Sequence, residues 1–142
     1  ANVYADEATA DATYPVATSI LVANPDISAI FCSNDEEAVG AAQAAASLGM
    51  DDIIVIGFDG QETAIDALQN DLITASVRQY PSEMGVLGVQ LAIQLIQGEE
   101  IEFDDPETKT LYSPLDMLDK SVLEAEAAET ADAAETAAPV EE

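Results

Sequence analysis

The chain has 142 residues, 49% of them apolar, so it is long enough for one domain with a hydrophobic core. Its 29 acidic and 3 basic residues give a net charge of −26, which argues against binding of nucleic acids or anionic membranes. There is no histidine, and Cys32 is the only cysteine, which excludes a disulfide framework and histidine-based zinc sites. No apolar run approaches the ~20 residues of a membrane-spanning helix, so we expect no direct membrane insertion.

Apolar runs and helical patterns alternate along the chain. A first helix ends near Asn24 and is expected to begin near Pro15, whose ring disrupts an interior helical turn. After it, strands are predicted at 29–32, 53–58 and 74–79, and helices at 35–48, 61–70 and 82–97. The run at 53–58 is apolar on both faces, which is typical of a central strand buried on both sides. This order predicts an α/β fold with a doubly wound parallel sheet.

The C-terminal third has weaker patterns. Residues 99–110 are predicted to form an acidic loop or a weak edge strand, and residues 115–123 a strand or a helix. Residues 124–142 are rich in alanine and glutamate and contain almost no large apolar side chain. We therefore expect one domain over residues 1–123 and a disordered acidic tail over 124–142. The chain has neither an initial Met nor a signal-peptide pattern, so we expect it to begin inside a longer gene product or after a cleavage.

Three polar side chains follow the predicted strands. Asn34, Asp59 and Gln79 each lie at the carboxyl end of a strand, where open parallel sheets bind ligands. A carboxylate that accepts from neighbouring hydroxyls, with two amides that both donate and accept, suits a sugar. The alternative is that Asn34 and Asp59 serve only as helix caps or turn residues. No nucleophile elbow, phosphate-binding loop or metal-ligand spacing is present, so no catalytic residue, cofactor or metal is predicted.

Three motifs carry a family resemblance. They are ANPDI with IFCSNDE (23–27 and 30–36), IVIGFDG (54–60) and ASVRQYP (75–81). In order and spacing they resemble the ribose-binding type of the type I periplasmic sugar-binding proteins, over residues 16–98 and more weakly 110–123. The resemblance implies that this chain is the carboxyl-terminal lobe of a bilobed protein that closes over a monosaccharide.

The resemblance also implies roles for individual segments. It assigns sugar hydrogen bonds to Asn34, Asp59 and Gln79 and a sugar contact to Phe58, for which core packing is the alternative. It places helix 82–97 on the amino-terminal lobe. An aromatic residue that stacks on the sugar is expected near Ala8, where the sequence has none and Tyr4 is the nearest candidate.

Delivery to a membrane ABC permease and a periplasmic or cell-surface location are further implications, and no enzymatic activity is expected. The alternative function is the effector-binding domain of a lac-repressor-type transcription regulator, which shares the lobes and similar motifs. That function would require an amino-terminal helix-turn-helix, and the strongly acidic chain makes it the less favoured of the two.

Overall fold

Five helices and four strands make up the fold in a computed structural model that describes residues 3 and 5–136. Tyr4, the candidate stacking residue, lies outside the described residues. In chain order the elements are α1 (Ala10–Ala23), β1 (Ala29–Phe31), α2 (Asp35–Ser47), β2 (Ile54–Asp59), α3 (Glu62–Gln69), β3 (Ala75–Arg78), α4 (Pro81–Gln97), β4 (Asp116–Leu118) and α5 (Lys120–Thr136). The predicted α/β alternation is confirmed, and between β1 and α4 no bound differs from the predicted one by more than one residue.

The described strands form one sheet in the order β1-β2-β3-β4. β1 pairs in parallel with β2, where Phe31 is opposite Ile56, and β2 pairs in parallel with β3, where Asp59 is opposite Arg78. The connections through α2 and α3 therefore return each strand in the same direction. As a result, the carboxyl ends of β1, β2 and β3 lie along one edge of the sheet.

The chain divides into two compact units, which are Ala1–Arg78 with Met117–Glu142, and Gln79–Asp116. In the first unit, α1 packs closely on α2 and α2 packs on β2. Small residues permit this close approach, because a Cβ atom on Gly40 would overlap the backbone oxygen of Ala10. The largest fully buried apolar side chains belong to this unit: Leu21, Leu68, Leu118 and Val55.

The sheet is less enclosed than the sequence predicted. On β2, Val55 and Gly57 are buried on the face that α2 covers, whereas Ile54 on the opposite face is 46% exposed. Phe31 on β1 is 63% exposed. The expectation that the 53–58 run is buried on both faces was therefore wrong for this chain, because the described helices leave part of one face uncovered.

The predicted start of the first helix also differs from the observed one. α1 begins at Ala10 and not near Pro15, because Thr9 caps it by accepting a hydrogen bond from the Ala12 amide at 3.3 Å. Pro15 lies within the helix and is exposed.

The first part of the predicted disordered tail is helical in the structure, since α5 extends from Lys120 to Thr136. Alanine-rich sequence has a high helix propensity, and a bidentate ion pair of Glu126 with Arg78 (2.6 and 3.1 Å) ties this helix to β3. Residues 137–142 lie outside the described part, and the domain boundary at 123 stays a prediction.

The second unit contains α4 and the loop up to Asp116. The Tyr80 hydroxyl donates to Asp116 at 2.7 Å, and a backbone bridge joins Asp105 to Thr110. None of the α4 residues is buried, and its most exposed large apolar side chains are those of Val86, Val89, Leu95 and Ile96. Within the part of the chain that the structure describes, we find no helix with the length and apolar character needed to cross a bilayer.

Candidate functional site

Asn34 lies between the end of β1 and the start of α2. Its side-chain oxygen accepts a hydrogen bond from the Glu37 amide at 2.8 Å, which makes it the N-cap of α2. The Glu37 carboxylate in turn accepts from the Ser33 hydroxyl at 2.6 Å and from the Ser33 amide at 3.2 Å. These bonds fix the turn after β1, and they leave the half-buried Asn34 side chain with its NH2 group as a donor.

Asp59 ends β2 with a left-handed backbone conformation, at φ 107°, and Gly60 follows at φ 71°. Few L residues adopt such a conformation, although aspartate and asparagine tolerate it better than most. The Gln61 side-chain amide donates to Asp59 Oδ2 at 3.0 Å. The turn therefore presents a half-buried carboxylate at the carboxyl edge of the sheet.

The turns after β1 and β2 are joined by a direct hydrogen bond. The Gln61 amide donates to Asp35 Oδ2 at 2.8 Å, and Asp35 is the neighbour of Asn34 in the chain. The Thr63 hydroxyl also donates to Glu36 at 3.3 Å. The structure thus brings Asn34 and Asp59 to the same end of the sheet.

Two aromatic rings lie on adjacent strands near this end. Phe58, which is half-buried, meets Phe31 edge-to-face, with ring centroids 6.5 Å apart and an interplanar angle of 73°. Phe31 is the more exposed of the pair and was not among the predicted site residues. An aromatic residue three positions before the strand-end Asn34 was the signal available in the sequence.

Gln79 follows the last residue of β3 directly and is the first residue of the second unit. Its position relative to Asn34, Phe58 and Asp59 therefore stays a prediction. The guanidinium of Arg78, which precedes it, forms the ion pair with Glu126.

Asp35 is the functional side chain that sequence reasoning missed. It was not among the predicted site residues; it lies in the first turn of α2 and is fully buried. Ser76 on β3, which is also fully buried, donates its hydroxyl to Asp35 Oδ1 at 2.6 Å. A glycine at 57 and a serine between the apolar residues Ala75 and Val77 were the available signals, since both leave room for a buried carboxylate.

Cys32 directly follows β1 and is buried. Burial, together with the negative charge of Glu37, raises the pKa of its thiol from 9.0 to about 11. At neutral pH the thiol is therefore protonated and a poor nucleophile.

Comparison with known proteins gives consistent matches. The profile of a family described as "Periplasmic binding protein domain" matches residues 1–100. The ribose import binding protein of Salmonella typhimurium is 35% identical over 91 residues, which cover 64% of this chain and 31% of that protein. The D-allose-binding periplasmic protein of Escherichia coli is 39% identical over 103 residues, which cover 70% of this chain and 33% of that protein.

The fold matches solved structures as well. An ABC transporter periplasmic solute-binding protein from Actinobacillus succinogenes 130z, with bound D-allose, superimposes with a TM-score of 0.68 at 28% identity. That match covers 80% of this chain and 39% of the other. The chain thus spans about a third of the length of the curated relatives that it matches.

Proposed function

Because the chain belongs to the periplasmic binding protein domain family, we propose that it is the carboxyl-terminal lobe of the solute-binding component of an ABC-type sugar importer. The full-length protein would bind a monosaccharide between two lobes, without chemical conversion. The observation that carries this proposal is the polar edge at the carboxyl ends of β1 and β2, where Asn34 and Asp59 lie beside an aromatic pair. The relatives named above, which bind ribose or allose, support a neutral sugar as the ligand.

Each side chain at this edge has a chemical role in the proposal. The Asp59 carboxylate accepts hydrogen bonds from adjacent sugar hydroxyls, and such charge-assisted bonds are the strongest of the set. The Asn34 NH2 group donates to a further hydroxyl, because its carbonyl oxygen is occupied by the helix cap. Phe58 packs against the C–H face of the sugar, and Phe31 supports its ring. Gln79, predicted from its place after β3, adds a second amide.

The second unit has a separate role in the proposal. We infer that α4 packs against the amino-terminal lobe of the full-length protein. The exposed apolar side chains of α4 support this, since burial of each is worth about 1.5–3 kcal/mol. One lobe alone would cover only one side of the sugar, so the isolated chain should bind weakly.

Export and delivery complete the proposed function. The relatives named as periplasmic or as import proteins support a periplasmic or cell-surface location and a membrane ABC permease as the partner. The same names favour transport over the effector-binding domain of a transcription regulator.

A titration of the 142-residue chain with D-ribose and D-allose, followed by amide NMR shifts, tests the proposed site. We expect shifts at residues 33–34 and 58–61 with a Kd on the order of 1 mM or weaker, corresponding to roughly 4 kcal/mol. Asp59→Asn keeps a residue that tolerates positive φ but removes the charge, and should weaken binding about tenfold or more.

Asp71→Asn is the matched control, because Asp71 also has positive φ (55°) but precedes β3, at the other end of the sheet. This variant loses the same charge and an exposed ion pair with Lys120. Its sugar affinity should equal that of the unmodified chain. The proposed site is wrong if neither sugar shifts these amides, or if both variants bind the better sugar equally well.

A further inference from the structure

Two buried polar side chains lie beneath the proposed sugar site. Asp35 belongs to the first turn of α2 and Ser76 to β3, and neither has any exposed surface. The Ser76 hydroxyl donates to Asp35 Oδ1 at 2.6 Å. A buried carboxylate is costly unless hydrogen bonds satisfy it. The hydrogen-bonded pair of Asp35 and Ser76 therefore links a helix, a strand and the loop between β2 and α3.

Both members of the pair hold the loop that carries Asp59. The Gln61 amide donates to Asp35 Oδ2 at 2.8 Å, and the Gly60 amide donates to Ser76 Oγ at 3.2 Å. These are the two peptide donors that directly follow Asp59. Because Asp59 has a positive φ that few L residues adopt, hydrogen bonds to acceptors outside the loop help to hold this conformation.

The contacts also determine where the Asp59 carboxylate points. A backbone held at φ 107° orients the side chain differently from an extended strand end. The next two peptide groups are held by hydrogen bonds from the Gly60 amide to Ser76 and from the Gln61 amide to Asp35. Gly57 contributes space, because a Cβ atom at this position would overlap the Asp35 carboxylate. The close packing at Gly57 therefore leaves the Asp35 carboxylate little room to move away from its bonds to Ser76 and Gln61.

We propose that Asp35 and Ser76 are positioning residues of the sugar site, which act by fixing the Asp59–Gln61 loop and, through it, the Asp59 carboxylate. The proposal rests on the proposed function in that a sugar is the ligand of Asp59. Neither residue needs to touch the sugar.

Amide hydrogen exchange of the sugar-free chain tests the structural half. Ser76→Ala removes the acceptor of the Gly60 amide and should accelerate its exchange about tenfold or more, whereas the Gln61 amide keeps its bond to Asp35. Asp35→Asn keeps the side-chain shape but replaces one acceptor oxygen with an NH2 donor. This second variant should accelerate exchange at Gln61 or at Gly60. Unchanged exchange in both folded variants overturns the inference.

Sugar affinity tests the functional half through a double-mutant cycle. Ser76→Ala alone should weaken D-ribose or D-allose binding about fivefold, and it should have no further effect in the Asp59→Asn chain, because it acts through that carboxylate. Circular dichroism at the temperature of the titration should show all variants fully folded. A loss of affinity of the same size in both backgrounds would indicate a general structural effect and would refute positioning.

Thr63→Ala is the matched control, since the Thr63 hydroxyl, like that of Ser76, donates to a carboxylate in the first turn of α2, that of Glu36, but at the surface. It should change neither the exchange of Gly60 nor the affinity. The two hypotheses fail in different ways. No sugar response in the unmodified chain overturns the proposed function, whereas equal affinity with and without Ser76→Ala overturns only the positioning role.

Discussion

Substitution of Gly57 by alanine tests how tightly the buried Asp35 carboxylate is held. Gly57 lies within β2 at an ordinary extended φ, so the backbone itself accepts alanine. The added methyl group, however, would overlap Asp35 Oδ1 and come within 3.2 Å of the Ala38 side chain and 3.3 Å of Asp35 Cα. A flexible side chain at the surface would turn away from such a contact. The Asp35 carboxylate cannot do so without breaking its bonds to Ser76 and Gln61.

The expected cost follows from these contacts. Overpacking of a filled core costs about 1–3 kcal/mol. Loss of one hydrogen bond to a buried carboxylate costs about 1.5–3 kcal/mol. We therefore expect Gly57→Ala to lower the free energy of unfolding by about 2.5–6 kcal/mol, the sum of the two contributions, which is a large fraction of the roughly 5–15 kcal/mol typical of a domain.

Urea denaturation followed by far-UV circular dichroism measures this cost, in the original chain and in the Ser76→Ala chain. Without the Ser76 hydroxyl, the Asp35 carboxylate has one restraint fewer and can move away from the methyl group. The double variant should therefore lose less stability than the sum of the single losses, by at least about 1 kcal/mol. A neutral Gly57→Ala, or losses that add to within about 0.5 kcal/mol, would refute the reasoning.

Two further predictions concern other parts of the chain. Gly40→Ala should lower the urea midpoint, because its Cβ would overlap the Ala10 backbone. The control is Gly88→Ala in the exposed helix α4, where the added Cβ has nothing within 4 Å and should leave the midpoint unchanged or raise it. A Gly40→Ala midpoint at or above that of the original chain would contradict the close packing of α1 on α2. The Cys32 thiol should react with a disulfide reagent at pH 8 about 100-fold more slowly in the folded chain than in the urea-unfolded chain. The reason is that a pKa raised from 9.0 to about 11 lowers the thiolate fraction by that factor. Equal rates would contradict the burial of Cys32.

The sequence was sufficient to predict the elements between β1 and α4, because each has a strong local signal. α2 is an example: Asn34 caps it, acids occupy its first turn, and its alanines at 38, 42 and 45 are buried as the helical period predicts. The start of α1 was mispredicted because the Thr9 cap outweighs the disruptive effect of Pro15. The helix over the predicted tail was missed because its ion pair to Arg78 spans 48 residues of sequence.

The site shows the same division between local and long-range information. The placement of Asn34 and Asp59 at one edge follows from parallel strands, which the pattern of apolar runs predicts. The burial of Asp35 does not follow from any local pattern, because its partner Ser76 is 41 residues away and each residue alone is typical of a helix start or a strand. Only the folded chain reveals that the two meet beneath the loop.

The exposed Phe31 and the open side of β1 have a consequence for behaviour in solution. In the described part of the sheet, β2 is the only neighbour of β1, and strands with an open edge are prone to pair with other molecules. The net charge of −26 opposes such self-association through mutual repulsion. This protection is removed by acid, since carboxylates become protonated at a pH of about 4. The negative charge of the chain therefore limits self-association through an incompletely covered sheet. This repulsion is strongest at neutral pH and low ionic strength.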